Sequence, residues 1–265
     1  MASATTDIKG DGPRSSAARP GIWESIKGLF KVTEFVIFLI VILLLVVGTI
    51  INPRLMSGAN LKIMTRDVGI LAIAAIGVGF TIITAGIDLS VGSMVGFGGV
   101  MSAYFMMNFG LPIPVAILMT LALGVGVGMI HGLFVTKLNM HGFLITLVTM
   151  GVARGFILVL TSAFPITGLP RAFNAMGQGY LFDIIPVPVI ICVFVAVLAH
   201  YLLRYTFIGR QIYASGGNKE AARFSGVNVD ARIILCYIVS VVCAVTVGMI
   251  QAGRMSLGHP GTGEG

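Results

Sequence analysis

Charged residues are scarce in this sequence. Asp, Glu, Lys and Arg make up 10% of its 265 residues, whereas 57% are apolar. Soluble globular proteins carry about 25% charged and about 45–50% apolar residues. Only three cysteines are present, an odd number that cannot pair completely, and none has C-x-x-C spacing. These shortages exclude a soluble domain, a disordered chain and a secreted disulfide scaffold, and they indicate a protein whose solvent is lipid.

Motifs for nucleotides, metals and catalysis are also missing. The sequence has no G-x-x-x-x-G-K-[ST] phosphate-binding motif, so any ATP and Mg must bind a partner subunit. We expect no cofactor, no metal and no enzymatic activity in this chain, because no paired acids or Ser–His arrangement is visible. The net charge of +7 fits basic cytoplasmic loops better than nucleic-acid binding. Four histidines lack metal-ligand spacing: His131, His141, His200 and His259.

Seven apolar runs follow a polar tail, residues 1–31. Each run is close to the roughly 20 residues that a helix needs to cross a hydrocarbon core. The runs are apolar on all sides, unlike the alternating strands of a membrane barrel. The sequence therefore predicts an all-α, polytopic transmembrane bundle over residues 32–265, with the tail as a separate segment. The runs cover about 33–51, 68–86, 90–109, 113–135, 142–162, 184–203 and 233–253.

The distribution of Lys and Arg predicts a cytoplasmic N-terminus. With the tail inside, the cytoplasmic segments hold about twice as many Lys and Arg as the outer ones. The outer segment 52–67 fits this rule least well, because it is itself basic. The predicted inner segments are 1–31, 87–89, 136–141 and 204–232, and the outer ones are 52–67, 110–112, 163–183 and 254–265.

A helix break interrupts the long apolar stretch 68–109. Forty-odd helical residues would extend about 60 Å, which is two crossings. The sequence G-I-D-L-S-V-G at 86–92 predicts a broken or re-entrant helix there. A carboxylate within a membrane costs roughly 2.5–3.5 kcal/mol, so Asp88 suggests a site near a translocation path. Alternatively, Asp88 or Ser90 caps the next helix, and the two roles are compatible. The candidate path residues are Gly86, Asp88, Ser90, Gly92 and Ser93.

Arg154 is a candidate structural charge inside the fifth run. It lies eight residues before Ser162, or about 12 Å along a helix, a distance that an Arg side chain can largely cover by snorkelling. Bonds to carbonyl groups of a neighbouring span are equally compatible with the sequence. A third hypothesis pairs Arg154 with Asp88.

Glycines recur every four residues at Gly124, Gly128 and Gly132, which places them on one helix face. Small residues let helix backbones approach closely in lipid. We expect this face to be a helix-packing surface and not a substrate site. Gly92 and Gly96 repeat the spacing.

The segment 204–232 is polar and basic and contains a pattern for a short capped helix. Asn218 can cap a helix that begins at Lys219, Glu220 suits its first turn, and Gly226 can end it. Such a helix is either a docking element for another protein or part of an ordinary basic loop. The spacing alone does not separate these two interpretations.

Four segments together resemble the permease subunits of ABC importers for ribose, xylose, arabinose and galactose: 83–93, 142–150, 153–155 and 209–226. The resemblance implies a homodimer around one path in a bacterial plasma membrane. It also implies an extracytoplasmic sugar-binding protein and a cytoplasmic ABC ATP-binding subunit as partners. Residues 220–226 resemble the EAA-x-x-x-G coupling segment of that family, which implies an ATPase-coupling loop with Asn218, Glu220, Ala221, Ala222 and Gly226. Family members continue beyond this point with further membrane segments, so the chain resembles a C-terminally incomplete member.

Other functions remain open at this stage. The same machinery could import branched-chain amino acids or a signalling molecule. An ion-driven secondary transporter would need intramembrane acids, of which Asp88 is the one good candidate. A non-transporting scaffold protein is the third alternative.

Overall fold

The computed structural model describes residues 33–264. The chain divides into two compact units at Ser57 and Gly58, and each is described by itself. The first unit contains helix α1 (Thr33–Ile51) and a short 3₁₀ helix (Pro53–Met56). Asn52 starts the 3₁₀ helix, because its side chain accepts a hydrogen bond from the N–H of Arg54 at 3.1 Å. The tail 1–31, predicted to be cytoplasmic, lies outside the described residues.

The second unit is helical, with a few two-residue strands. Its helices, continuing in chain order, are α2 (Gly58–Ile83), α3 (Val91–Met107), α4 (Ile113–Lys137), α5 (Gly142–Thr161), α6 (Arg171–Gln178), α7 (Val187–Tyr205), α8 (Phe207–Gly217), α9 (Lys219–Phe224) and α10 (Val229–Met255). Strand β1 (Ile166–Thr167) pairs antiparallel with β4 (Leu257–Gly258), and β2 (Tyr180–Leu181) pairs antiparallel with β3 (Ile185–Pro186).

The prediction of a polytopic helical bundle is confirmed. Each of the seven apolar runs forms a helix. Among the described residues, α2, α4, α5, α7 and α10 are long and apolar enough to cross a membrane. Two shorter apolar helices cover Phe35–Ile51 and Val91–Met107. The outer faces of α5 and α7 expose many large apolar side chains, as expected for surfaces that lipid solvates.

One predicted loop is wrong in part. Helix α2 begins at Gly58, ten residues before the predicted run, so Lys62 and Arg66 lie in the helix and not in a loop. Lys62 donates to the backbone carbonyl of Asp183, and Arg66 donates to the hydroxyl of Tyr180. Basic side chains near a helix end can bond polar partners there, which is why a hydropathy count starts this span too late.

Helix α10 is the centre of the second unit. In an 18-residue apolar stretch of α10, 67% is buried inside the protein, against 6% in such a stretch of α7. Helices α2, α3, α4 and α6 pack around it. The core that they share includes Ile73, Met94, Val100, Val241 and Ile250. The two ends of this unit are named by the helices found there. The "α9 end" contains α9 and the start of α10, and the "α6 end" contains α6 and the last residues of α10.

The segment after α10 folds back onto the bundle. Ser256 adopts a left-handed conformation (φ 58°) that ends α10, and β4 follows at once. Gly258 lies so close to α3 that a Cβ there would be 2.7 Å from the Cβ of Ala103. Residues 254–265 were predicted as an outer segment, and nothing in their sequence predicted this contact with α3.

Candidate functional site

The predicted interruption near Gly86–Gly92 is present, because α2 ends at Ile83 and α3 begins at Val91. The N–H groups of Thr84 and Gly86 both donate to the carbonyl of Thr81, at 3.2 and 2.8 Å. Ala85 between them is left-handed (φ 56°). A tight turn therefore stops α2, and residues 84–90 form the "break" that joins it to α3.

Asp88 anchors the break to α10. Its side chain is 6% exposed. One carboxylate oxygen accepts from the N–H and the hydroxyl of Ser90, at 2.9 and 2.6 Å, and the other accepts from the hydroxyl of Ser240 at 2.6 Å. Ser90 is the N-cap residue of α3, but its side chain makes no capping bond to that helix. The carboxylate is thus held by three donors, one of them from α10. Ser93 donates back to the carbonyl of Ser90 at 2.7 Å.

Tyr237 of α10 fills a slot beside the break. Its hydroxyl donates to the carbonyl of Ile87 at 3.4 Å. A Cβ on Gly86 would lie 2.9 Å from this hydroxyl oxygen, and one on Gly142 would overlap it. The two glycines therefore leave the space that the hydroxyl occupies. On its other side, the ring meets His131 edge-on, with centroids 6.1 Å apart.

His131 forms a hydrogen bond with Thr149. Its Nε2 lies 2.8 Å from the hydroxyl oxygen of Thr149, which also lies 3.0 Å from the carbonyl oxygen of Ile145. Sequence analysis missed His131, Tyr237 and Ser240. The available signal was a polar side chain inside an otherwise apolar run.

Arg154 does not pair with Asp88, so that hypothesis is wrong. Its guanidinium donates to the carbonyls of Pro260 and of Thr262 (3.1 Å), and it lies 3.5 Å from the carboxylate of Glu264. Bonds to backbone carbonyls were among the alternatives, but the partner is the folded-back C-terminal segment and not a neighbouring span.

Gly92 and Gly96 face the same C-terminal segment. A Cβ on Gly92 would be 2.5 Å from the carbonyl oxygen of Gly263, and one on Gly96 would be 2.8 Å from that of Thr262. Their four-residue spacing therefore serves the contact of α3 with the folded-back C-terminal segment. Gly96 also faces α5, because a Cβ there would be 2.9 Å from Arg154 Nη1 and 3.3 Å from Ile157 Cδ1.

One face of α4 packs against α10 through Gly124, Gly128 and Gly132. A Cβ would be 3.2 Å from a methyl of Val245 at the first position, 2.6 Å from Ile238 Cα at the second and 2.5 Å from Ile234 Cα at the third. The backbones of α4 and α10 approach most closely at the last two positions.

Two cavities lie on either side of the break. The larger, about 510 Å³, opens between α2, the start of α3 and α10. An ion pair between Asp67 and Arg254 borders it, with Gln251 and Thr262 as further polar groups. The smaller cavity, about 260 Å³, lies between the break and α9, and includes Lys219 in its wall.

Helix α9 is capped as the sequence indicates. The side chain of Asn218 accepts from the N–H of Ala221 at 2.9 Å, and Gly226 follows the helix with φ 79°. Glu220 and Ala221 are exposed, whereas Ala222 is buried in this chain. Ala222 is therefore packed within this chain, and its place in the predicted coupling loop stays a prediction. Sequence analysis missed Phe224, which is 93% exposed although it is a large aromatic residue in a polar segment.

Asp230 ties α9 to its neighbours. Its carboxylate lies 2.7 Å from Arg223 of α9 and 2.8 Å from Lys137 at the end of α4. Two cations on one carboxylate form a small network, which holds position better than an isolated surface pair. The first turn of α10, the end of α4 and α9 are thereby joined at one point.

Helix α8 was not predicted, because its residues fall inside the polar segment 204–232. Its N-cap is Thr206, whose hydroxyl accepts from the N–H of Gly209 at 3.1 Å. Gly216 near its end lies against the carbonyl of Ile83, where a Cβ would overlap the oxygen. The α8 helix therefore contacts the last residue of α2 directly.

Within residues 33–264, no group of three or more His, Cys, Asp or Glu side chains is arranged to hold a metal ion. The carboxylate of Asp88 and the hydroxyls of Ser90, Ser93 and Ser240 bond one another or the backbone around the break.

Comparison with known proteins assigns a family. Residues 60–263 match the family described as branched-chain amino acid transport system / permease component. The ribose import permease protein RbsC of Haemophilus influenzae is 37% identical over 242 residues, covering 88% of this chain and 74% of that protein. RbsC of Bacillus subtilis is 37% identical over 229 residues, covering 86% and 70%.

The D-allose transport system permease protein AlsC of Escherichia coli is 31% identical over 228 residues, covering 86% of this chain and 70% of that protein. No solved structure matches the chain. The family match includes the break, the Arg154 region and α9, which are the segments that carried the resemblance. The chain therefore belongs to the permease family of sugar ABC importers, and it is a multi-pass membrane protein.

Proposed function

We propose that this chain is the membrane-spanning permease subunit of an ATP-driven importer that carries a monosaccharide across a bacterial plasma membrane. The observation that carries the proposal is the match over residues 60–263, with relatives named for ribose and allose. The chain does no chemistry of its own in this proposal. A partner subunit binds ATP and Mg, and a binding protein delivers the sugar.

Helix α9 is the proposed docking element for the ATP-binding subunit. It is short, capped by Asn218, and held by the Arg223–Asp230 pair, so its exposed face has a fixed position. That face presents Glu220 and the ring of Phe224. An exposed aromatic beside a charged group suits a groove on a partner, since aromatic residues contribute much of the binding energy of interfaces.

The larger cavity is the proposed sugar path in this subunit. Its polar groups, Asp67, Gln251 and Arg254, can bond hydroxyls, and its apolar side can contact the C–H faces of a sugar ring. Apolar lining comes from Ile70, Leu71, Ala74, Val91, Val95 and Val247. The first residues of α3 form one boundary of this cavity, and the break directly precedes them in the chain. In a homodimer, two such cavities would border one central path.

The proposed orientation places the α9 end in the cytoplasm. This end carries Lys137, Lys219, Arg223 and Arg232, as the positive-inside rule requires of cytoplasmic segments. The distribution of Lys and Arg in the sequence independently favours a cytoplasmic N-terminus, and in this proposal the α6 end faces the sugar-binding protein. No nucleic acid has a role in this arrangement.

A branched-chain amino acid is the second candidate cargo, because the description of the matched family names it. The cavity offers both a carboxylate and a guanidinium, which could meet an amino acid's two charged groups. In the structure these two side chains are paired with each other, and an uncharged sugar can bond them without separating the pair.

Co-purification with the ABC ATP-binding subunit tests the docking proposal. We expect Glu220→Lys to abolish recovery of that subunit while the permease still inserts into the membrane. Asp183→Lys makes the same charge change at the α6 end and is the matched control, for which recovery should equal the wild type. Equal recovery with both variants would refute docking at α9.

A further inference from the structure

We propose that Tyr237 is a positioning residue that links the position of α9 to the conformation of the break. The inference rests on the proposed function, since it assigns a role within the coupling of ATP hydrolysis to sugar movement. It goes beyond that function by naming the side chain through which the two sites communicate.

An apolar stripe on α10 leads from α9 to the break. Val229, Ile233 and Tyr237 recur every four residues and therefore lie on one face of the helix. They form one buried cluster with Ala222 of α9. From Val229 to Tyr237 the stripe is about 12 Å long. The smaller cavity lies beside the stripe, with Ile233 and Tyr237 in its wall, so the packed stripe itself is the direct connection through which a displacement of α9 reaches the break.

The hydroxyl end of Tyr237 lies inside the break. It occupies the slot between Gly86 and Gly142 and bonds the carbonyl of Ile87. Ile87 directly precedes Asp88, whose carboxylate is held by Ser240 of α10. Ser240 is one helical turn after Tyr237. Two successive turns of α10 thus grip two successive residues of the break, so a shift of α10 changes both bonds together.

A second contact reinforces the link from the other side. Gly216 of α8 lies against the carbonyl of Ile83, at the last residue of α2. Only Asn218 separates α8 from α9. A movement of the α8–α9 pair would therefore press on α2 just before the break and on Tyr237 just inside it. The break is the element between these two contacts that can change conformation, because its backbone is not helical.

Tyr237→Phe separates the positioning role from simple packing. Phenylalanine keeps the ring in the cluster and removes the hydroxyl that reaches Ile87. Tyr201→Phe is the matched control, because Tyr201 lies on α7 with 60% of its surface exposed. The measurement is sugar uptake per ATP hydrolysed by the full chain, reconstituted with its ATP-binding subunit and its binding protein.

For Tyr237→Phe we expect normal assembly, normal ATP hydrolysis and a loss of about 2- to 5-fold in uptake per ATP. This is the lower part of the range for one neutral hydrogen bond, because 3.4 Å is long. Tyr201→Phe should not change the ratio. A ratio for Tyr237→Phe equal to the wild type would overturn the inference and leave the proposed function intact.

Ile233→Val provides a second test if Tyr237→Phe fails to assemble. It removes one methyl from the middle of the stripe and leaves Ala222 of α9 and Tyr237 unchanged. We expect a lower ratio of uptake to ATP hydrolysis here too, and an unchanged ratio would overturn the inference. A wild-type complex that assembles but shows no ATP-dependent uptake would instead overturn the proposed function, and the inference with it.

Discussion

The contact of α4 with α10 gives the most quantitative prediction. In Gly128→Ala, the new Cβ would lie 2.6 Å from Ile238 Cα and 2.9 Å from the carbonyl oxygen of Tyr237. Ordinary van der Waals contact begins near 3.4 Å, so the two backbones must separate by about 0.8 Å. Both neighbours are backbone atoms, which cannot move aside as a side-chain end can. Overpacking of this kind costs about 1–3 kcal/mol.

Gly126→Ala is the matched control on the same helix. No atom lies within 4 Å of its Cβ position. Both substitutions gain the same helix propensity, about 1 kcal/mol, so their difference isolates the clash. At about 2–4 °C per kcal/mol, Gly128→Ala should melt about 2–12 °C below Gly126→Ala in detergent. Gly124→Ala should fall between them, because its nearest atom is a side-chain methyl at 3.2 Å.

The assay is thermal unfolding of the purified variants in one detergent, monitored by light scattering or circular dichroism. Equal melting temperatures for Gly126→Ala and Gly128→Ala would refute the close approach of α4 and α10. So would a lower melting temperature for Gly126→Ala than for Gly128→Ala.

Three further predictions concern single side chains. Asp88→Ala should lower stability by about 1–3 kcal/mol for each buried donor left unpaired. Asp88→Asn should lower it by less, because the amide oxygen still accepts. In thermal unfolding in detergent, Asp88→Ala should therefore melt at a lower temperature than Asp88→Asn. Asn218→Ala should lose about 0.5–2 kcal/mol of capping and weaken recovery of the ATP-binding subunit, whereas Asn218→Asp should retain it. Arg154→Gln should free the C-terminal segment, so that maleimide labels Thr262→Cys faster than it does with Arg154 intact; equal rates would contradict the bonds from the guanidinium.

The sequence predicted the elements that local patterns specify. The apolar runs are continuous, so each predicts a helix. The residues G-I-D-L-S-V-G predict the break because glycines and a carboxylate interrupt an apolar stretch. Helix α9 was predicted because Asn218 and Gly226 are strong signals for a helix start and end.

Partners that are distant in the sequence could not be predicted in this way. Ser240 bonds Asp88 across 152 residues, and hydroxyls inside an apolar helix carry no directional signal. Arg154 has several possible partners by length alone, and the C-terminal segment that binds it lacks an apolar pattern. Helix α8 was missed because its residues are mixed in polarity and lie between two stronger signals.

ATP-driven uptake tests the central claim most directly. The full chain is reconstituted in liposomes with its ATP-binding subunit and its binding protein, and labelled ribose, allose, xylose, galactose and leucine are compared. ATP is supplied on the side of the membrane that holds the ATP-binding subunit. We expect at least one of the sugars to accumulate on that side, and we expect that leucine does not. Accumulation of leucine alone would contradict the choice of cargo. Sugar uptake that needs an ion gradient but no ATP would contradict the assignment as an ABC permease.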